Sequence, residues 1–181
     1  MKQRTDITIL LFVLLLLGLM VSTLNVGCSS GDNGPKAGAI DACALLKEVH
    51  PEVLLGEPVG TGNKSIDQHD ASGIVSLCGY TAKSDWKKTV SLLVKYYPEY
   101  TNPETAKAFL ERQDFGEFKV TSREIPDLGD VAVALSDANS LQLRVFWKKH
   151  YQMSVVFTEP GDNTETLNKA RSVAESVIDK L

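Results

Sequence analysis

Three polar segments of the chain contain residue types that could carry out chemistry. Ser72 is a potential nucleophile, but it lacks the Gly-x-Ser-x-Gly pattern that exposes a catalytic serine on a sharp turn. Asp67-Gln68-His69-Asp70 offers oxygen and nitrogen ligands to a cation, without the Asp-x-Asp-x-Asp-Gly spacing of a calcium loop. Asp127-Leu128-Gly129-Asp130 carries two carboxylates, which are more typical of a turn between strands. The sequence therefore predicts no catalytic residue and no metal or cofactor site.

The remaining histidines do not change this prediction. His50 precedes Pro51 at a predicted helix break, and His150 lies in a predicted hairpin turn. Neither histidine has an evident carboxylate partner for general-base chemistry. A hydrolase that uses Asp130, His69 or Ser72 is therefore the least favoured functional class.

One aromatic cluster could form a ligand-binding surface. Tyr96, Tyr97 and Tyr100 continue from a predicted strand into the loop that follows it. An exposed tyrosine combines an apolar ring with a hydroxyl group, which suits ligand contact, and packing at the end of the strand is the alternative.

Residues 1–27 have the three parts of an export signal. Lys2 and Arg4 precede an apolar run from Ile7 to Val21, and Gly27 is the small residue before a cysteine. The run is shorter than the roughly 20 residues that span a bilayer, which favours cleavage over a permanent anchor.

Cys28 is the predicted lipidation site. Gly27-Cys28 matches the end of a lipoprotein signal, although Asn25 stands where leucine is usual. Several acyl chains, such as palmitate, would attach the mature chain stably to a membrane. Secretion with Cys28 free and an uncleaved membrane anchor are the alternatives, and both also place the domain outside the cytoplasm.

The mature chain is predicted to be a tether followed by one domain. Residues 28–38 are rich in small and turn-forming residues and read as a flexible tether, and residues 39–181 fit a single hydrophobic core. The whole chain has a net charge of -4, and removal of residues 1–27 (Lys2, Arg4 and Asp6, net +1) makes it -5. A mildly acidic domain argues against nucleic acid as a partner.

Cys43 and Cys78 are predicted to form a structural disulfide. Paired cysteines in an exported protein usually bond to each other. A metal or redox pair is the alternative, but there is no Cys-x-x-Cys motif and no histidine at ligand spacing. Closing the loop between them would stabilise the fold by about 4 kcal/mol in the chain-entropy model.

Helix signals occur at both ends and in the middle of the domain. Asp41 is the predicted N-cap of a first helix, and Pro51 and Gly56 open and close a second helical turn. Thr101 and Asp162 are predicted to cap two later helices through capping boxes.

The remaining segments predict strands and one long loop. Residues 57–73 are polar and glycine-rich and read as the loop. Strands are predicted at residues 74–80, 89–97, 118–125, 131–135, 141–147 and 151–157. The last two carry apolar residues at alternate positions, which is typical of an antiparallel sheet with one solvated face. These positions are Leu141, Leu143, Val145 and Trp147 in the first and Tyr151, Met153, Val155 and Phe157 in the second. The order α-β-β-α-β-β-β-β-α predicts an α+β fold with the helices packed on one face of an antiparallel sheet.

Three short motifs are spread over the mature chain. They are Asp41-Ala42-Cys43-Ala44-Leu45-Leu46, Cys78-Gly79-Tyr80 and Asp127-Leu128-Gly129-Asp130-Val131-Ala132. They resemble the Asp-x-Cys-x-Leu-Leu, Cys-x-Tyr/Trp and Gly-x-Gly-Asp-x-Ala motifs of small secreted lipoproteins of unknown function that are abundant in actinobacteria, with Asp127 in place of the first glycine. The resemblance implies that the two cysteines pair and, as in some relatives that look like sensor domains, a ligand cleft. It implies no catalytic residue.

These observations predict a noncatalytic lipoprotein of the cell envelope that binds or senses a small ligand or an envelope protein. Its other partner would be the membrane, through the lipid on Cys28. The alternative is a structural or assembly-accessory lipoprotein without a ligand pocket, which would have a filled core and a flat exposed patch.

Intact mass analysis of the membrane-extracted protein tests the signal and the disulfide together. We expect a chain that begins at Cys28, carries acyl chains and gains the mass of two hydrogens on reduction. A mature chain without acyl groups would contradict the lipidation.

Overall fold

The computed structural model of this protein describes residues 35, 40–70, 72–99, 102–111, 120–158 and 163–181. These residues belong to the unit Pro35–Leu181. The predicted signal, Cys28 and most of the predicted tether lie outside the described residues. None of the helices that the structure describes is both long and apolar enough to cross a membrane.

The described part of the chain forms four helices and one sheet of seven strands. In chain order the elements are α1 (Ala42–Glu48), α2 (Pro51–Leu55), β1 (Asn63–Asp70), β2 (Gly73–Thr81), β3 (Thr89–Tyr96), α3 (Pro103–Glu111), β4 (Thr121–Glu124), β5 (Val131–Ser136), β6 (Leu141–Trp147), β7 (Tyr151–Thr158) and α4 (Asn163–Lys180). The strand order across the sheet is β1-β2-β3-β7-β6-β5-β4.

The sheet consists of two meanders that meet at its centre. β1 to β3 follow one another across one half, and β4 to β7 do so across the other half. The halves join where β3 pairs with β7, with Leu92 opposite Val155. All strand pairs are antiparallel, so the predicted α+β class with an antiparallel sheet is confirmed.

The first face of the sheet carries the main core. One alternate set of residues in each central strand points to this face, and Cys78, Leu92, Val155 and Leu143 are fully buried there. α1 packs over β2 and β3, α2 over β3, and α4 over β6 and β7. The bounds of β6 agree with the predicted strand 141–147, because Leu141, Leu143, Val145 and Trp147 alternate onto the first face. Phe146 breaks the polar series on the other face, where it is buried in the second core cluster.

α3 packs on the opposite face, so the prediction that the helices pack on one face is wrong for this helix. Its buried residues belong to a second, smaller core cluster, which consists of Ala106, Leu110, Val133, Leu135 and Phe146. The buried Arg144 donates from Nη1 to the carbonyl oxygen of Leu110 at 3.0 Å and so holds the end of α3 on the sheet. The apolar positions of a helix predict that it buries one side, but not which face of a sheet it covers.

β1 lies inside the segment 57–73 that the sequence predicts to be a loop. The order of elements therefore has one strand more than the predicted order. It also includes α2, which is the helical turn predicted between Pro51 and Gly56 but not counted in that order. Every residue of β1 is exposed except the half-buried His69. The strand is held by its ladder with β2, not by apolar burial, and so it has no apolar alternation that would predict it.

The predicted helix caps are partly within the described residues. Asp41 is the N-cap of α1, where its Oδ1 accepts from the backbone N–H groups of Cys43 at 2.8 Å and Ala44 at 3.1 Å. Thr101 and Asp162 lie outside the described residues. At the start of α3, Asn102 Oδ1 accepts from Glu104 N at 2.8 Å.

The Asp127–Asp130 segment shapes two adjoining turns. Asp127 has a φ of 59° and Gly129 a φ of 64°, so the aspartate adopts the left-handed conformation that glycine favours. Asp130 Oδ2 accepts from Lys149 N at 3.1 Å, in the β6–β7 turn where Lys148 and Lys149 also have positive φ. The Asp130 carboxylate therefore stabilises a backbone turn, as the sequence indicates, whereas Asp127 contributes its backbone conformation.

Gly129 is the least replaceable residue of this segment. A Cβ there would lie 2.7 Å from Val145 Cγ1 and 2.8 Å from the carbonyl oxygen of Phe146. We expect Gly129→Ala to lower the free energy of unfolding by roughly 3 kcal/mol, since it adds a steric clash to the strain of positive φ.

Gly56→Ala is the matched control, because Gly56 has a φ of 72° but nothing within 4 Å of the added Cβ. It should cost only about 1 kcal/mol for the strain. Urea denaturation of both variants measures the difference, and equal losses would show that the clash at Gly129 is relieved at no cost.

Candidate functional site

Cys43 and Cys78 form the predicted disulfide. The bond joins α1 to β2, where Cys78 is fully buried. Beside it, Ala42 N donates to the buried Ser76 Oγ at 3.0 Å. These two contacts fix α1 on the first face of the sheet, so both cysteines have a structural role.

A lysine occupies the centre of the polar cluster that the sequence offers as a cation site. Lys64 Nζ lies 3.1 Å from Asp67 Oδ2 and 3.1 Å from Asp41 Oδ2. Hydrogen bonds from Lys64 and then from His69 hold the pKa of Asp67 below its usual value. The charge of the protein's own ammonium group thus neutralises these carboxylates, and the described residues contain no cluster of three or more ligands suited to a metal ion.

The three candidate hydrolase residues do not meet. Ser72 donates from its backbone N–H and its hydroxyl to Asp70 Oδ1, and these bonds, with one from Gln68, lower the pKa of Asp70 to about 2. His69 is bonded to Asp67 on β1, while Asp130 precedes β5. Four strands lie between β1 and β5, which separates these groups by on the order of 20 Å.

The predicted tyrosine surface is divided by the sheet. Tyr96 is half-buried on the first face, with its ring centroid 5.1 Å from that of Tyr151. Tyr97 donates from its hydroxyl to Gln152 Oε1, 3.4 Å away, on the opposite face. Tyr100 lies outside the described residues. Ligand contact by these tyrosines stays a prediction, but Tyr96 and Tyr97 do not share one surface.

A small cavity lies where the start of α4 crosses β4, β5 and β6. Its volume is about 120 Å³, and it is lined by Thr121, Arg123, Ala134, Ser136, Leu141, Thr164 and Leu167. We call it the α4 pocket. It is smaller than the roughly 300–1,000 Å³ of sites for drug-sized molecules, which limits a ligand to a few heavy atoms.

Strand register assembles the α4 pocket. Arg123 lies opposite Ala134, and Thr121 lies opposite Ser136. Since cross-strand partners point to the same face of a sheet, all four side chains project toward the face that α4 covers. The helix contributes two residues that are one turn apart and so face the same way.

Arg123 determines the charge of the α4 pocket. It is exposed, and no carboxylate among the described residues pairs with it. Three hydroxyl-bearing residues and three apolar residues form the rest of the described lining. An arginine beside hydroxyl groups and apolar side chains can hold a small carboxylate that carries a short apolar tail.

Sequence reasoning did not find this pocket. Its residues come from three strands and a helix, and they are spread from Thr121 to Leu167. The one local signal is that β4, Thr121-Ser122-Arg123-Glu124, is entirely polar. It lies within the predicted strand 118–125, which the sequence did not connect with a binding site.

No protein-family model and no curated protein matches this chain significantly in sequence. The resemblance to small secreted lipoproteins accordingly stays a prediction.

The ion pairs of Lys64 with Asp41 and Asp67 should make the stability of the fold depend on pH in acid. Burial opposes the charge on Asp41, but the Ala44 N–H, Lys64 and the Cys43 N–H together hold its pKa below the usual value. A carboxyl group with a lowered folded-state pKa stabilises the fold above its unfolded pKa, near 4, and this stabilisation is lost as pH falls through the folded value.

We expect Asp41→Ala to lower the free energy of unfolding by about 1 kcal/mol at pH 7, because both the N-cap and the charge are lost. Asp41→Asn keeps a good capping oxygen and should lose less at pH 7. Its deficit relative to the wild type should shrink as the pH falls from 5 toward 2. Urea denaturation across this range measures both effects, and a deficit that is constant with pH would contradict the role of the Asp41 charge.

Proposed function

We propose that this chain is a noncatalytic, lipid-anchored binding protein of the cell envelope, whose domain takes a small carboxylate-bearing ligand in the α4 pocket. The observation that carries this proposal is Arg123 beside an amphipathic cavity of about 120 Å³. A charged hydrogen bond to arginine is among the stronger polar interactions, and it selects carboxylates by geometry as well as by charge.

The size and lining of the α4 pocket define the ligand class further. A dry apolar cavity of about 150 Å³ is known to accept a benzene-sized molecule. A cavity of about 120 Å³ that also contains hydroxyl groups therefore suits a short-chain monocarboxylate. The predicted signal and Cys28 support a position of this binding domain outside the cytoplasm and next to a membrane.

A structural or assembly-accessory role is the second candidate. Val75, Leu77 and Leu93 remain partly exposed on the second face of the sheet, beside the exposed strand β1. A partner protein could cover this face and would not need the α4 pocket. Failure of the carboxylate test below would favour this candidate.

Titration of the full chain in detergent micelles with sodium butanoate tests the proposal. We expect saturable shifts in the methyl NMR signals of Ala134, Leu141 and Leu167, since these groups line the pocket. Arg123→Gln should weaken binding about tenfold, which corresponds to loss of a charge-assisted hydrogen bond.

Two controls separate charge recognition from general effects. Butylammonium has the same chain length and the opposite charge, so it should not bind. Lys95→Gln removes one positive charge from β3 and should leave butanoate binding unchanged. Equal responses to both ligands, or unchanged affinity in Arg123→Gln, would overturn the carboxylate proposal.

A further inference from the structure

The connection between β2 and β3 carries the most exposed large apolar side chain of the described residues. Trp86 is 77% exposed. It belongs to the segment Lys83–Lys88, which we call the Trp86 tip. Lys87 Nζ lies 5.6 Å from the centroid of the indole ring. A tryptophan that is this open adds little to the core, and its large amphipathic ring is suited to contact with something outside the chain.

The Trp86 tip is held firmly at its base. Lys83 N donates to the carbonyl oxygen of Pro58 at 2.9 Å, and Lys87 N donates to Asp85 Oδ1 at 2.9 Å. The Thr158 hydroxyl donates to the carbonyl oxygen of Lys87 at 2.5 Å, which ties the tip to the end of β7. The indole is therefore presented on a fixed turn, so docking would order little additional backbone.

The charge of the Trp86 tip is opposite to that of the whole chain. The chain has a net charge of -4, whereas the tip contains three lysines and one aspartate. Glu57 pairs with Lys88 at 3.0 Å. The ammonium groups of Lys83 and Lys87 have no carboxylate partner in the described part of the chain. With Asp85 and Glu57 counted, the tip keeps a net charge of +1, and two lysines without a carboxylate partner lie beside an exposed indole. This arrangement complements an anionic surface.

A second exposed apolar residue lies on a neighbouring element. Val53, on α2, is 69% exposed. The segment that follows α2 bonds to the tip through Glu57 and Pro58. The segment that follows α2 is therefore held against the Trp86 tip by a hydrogen bond and an ion pair.

We infer that the Trp86 tip docks on the anionic surface of the membrane to which the chain is anchored. Trp86 enters the interface between lipid headgroups and acyl chains, and Lys83 and Lys87 contact lipid phosphates. Tryptophan is enriched at this depth of a bilayer, and lysines near the surface are attracted to anionic lipids. The inference takes the lipid anchor on Cys28 from the proposed function.

The length of the predicted tether permits both contacts at once. Residues 29–40 can span at most roughly 40 Å. The domain begins next to Asp41, which is bonded to Lys64, and the strand partner of Lys64 is Cys78. From Cys78 to Ala82, just beyond the end of β2, the chain extends roughly 13 Å toward the tip, which is less than the reach of the tether. An anchored chain also holds the tip at a high effective concentration near the bilayer, so a weak contact suffices.

Depth-dependent fluorescence quenching of the acylated full chain in vesicles tests this docking. Vesicles would contain phosphatidylcholine alone or an equal mixture with phosphatidylglycerol, each with brominated acyl chains as quencher. We expect quenching of tryptophan emission about twofold stronger in the anionic vesicles. Trp147 is buried, so Trp86→Phe should abolish the lipid-dependent part.

Charge-matched variants separate the tip from general attraction. Lys83→Gln with Lys87→Gln should reduce quenching in anionic vesicles to the level in phosphatidylcholine. Lys95→Gln with Lys148→Gln removes the same charge toward the opposite end of the sheet, and should leave quenching unchanged. High salt should act like the first pair.

Three results would overturn the docking. The first is that brominated lipids do not quench Trp86 emission in a chain whose mass confirms acylation. The second is equal quenching with and without anionic lipid. The third is an equal effect of the two pairs of lysine substitutions. After the first result, acrylamide quenching would identify another partner. Protection of Trp86 by cell-wall glycan fragments would assign the tip to glycan, and protection on dimerisation would assign it to a second copy of the chain. A mass without acyl chains would refute the anchor alone, and the same quenching after addition to preformed vesicles would then decide the docking.

Discussion

The pairing of β3 with β7 is the interaction on which the rest of the structure depends. It joins the two meanders, and its apolar pairs Leu92–Val155 and Val94–Met153 are fully buried. At one end of the pair the hydroxyls of Thr89 and Thr158 lie 2.6 Å apart. Without this ladder, α1 and α2 would cover one small sheet and α4 another, and neither half alone would bury a continuous core.

This pairing also helps to position one of the two surface features, the Trp86 tip. Thr158, at the end of β7, bonds the Trp86 tip, so the seam between the meanders holds the tip in place. The α4 pocket lies away from this seam, at the edge of the sheet where α4 extends over β4. The two features therefore depend on different strands, and a change at one need not disturb the other.

Sequence patterns predicted the elements that bury apolar residues on one side and missed β1, which does not. β6 and β7 carry apolar residues at every second position, and Asp41 caps α1 as its type and position indicate. β1 was missed because both of its faces meet solvent, and α3 was placed on the wrong face because its apolar side is compatible with either. Arg123 could not be found, since its neighbours in the pocket come from strand register and a distant helix.

For a chain anchored to a membrane as proposed above, the two edge strands of the sheet would affect crowding. β1 carries Lys64, Asp67 and Asp70, and β4 carries Arg123 and Glu124. Charged side chains on an edge oppose the addition of a strand from another molecule, because docking would strip them of water. Chains confined to a plane meet one another often. Charged margins on both sides of the sheet would let such a protein reach a high surface density without edge-to-edge aggregation.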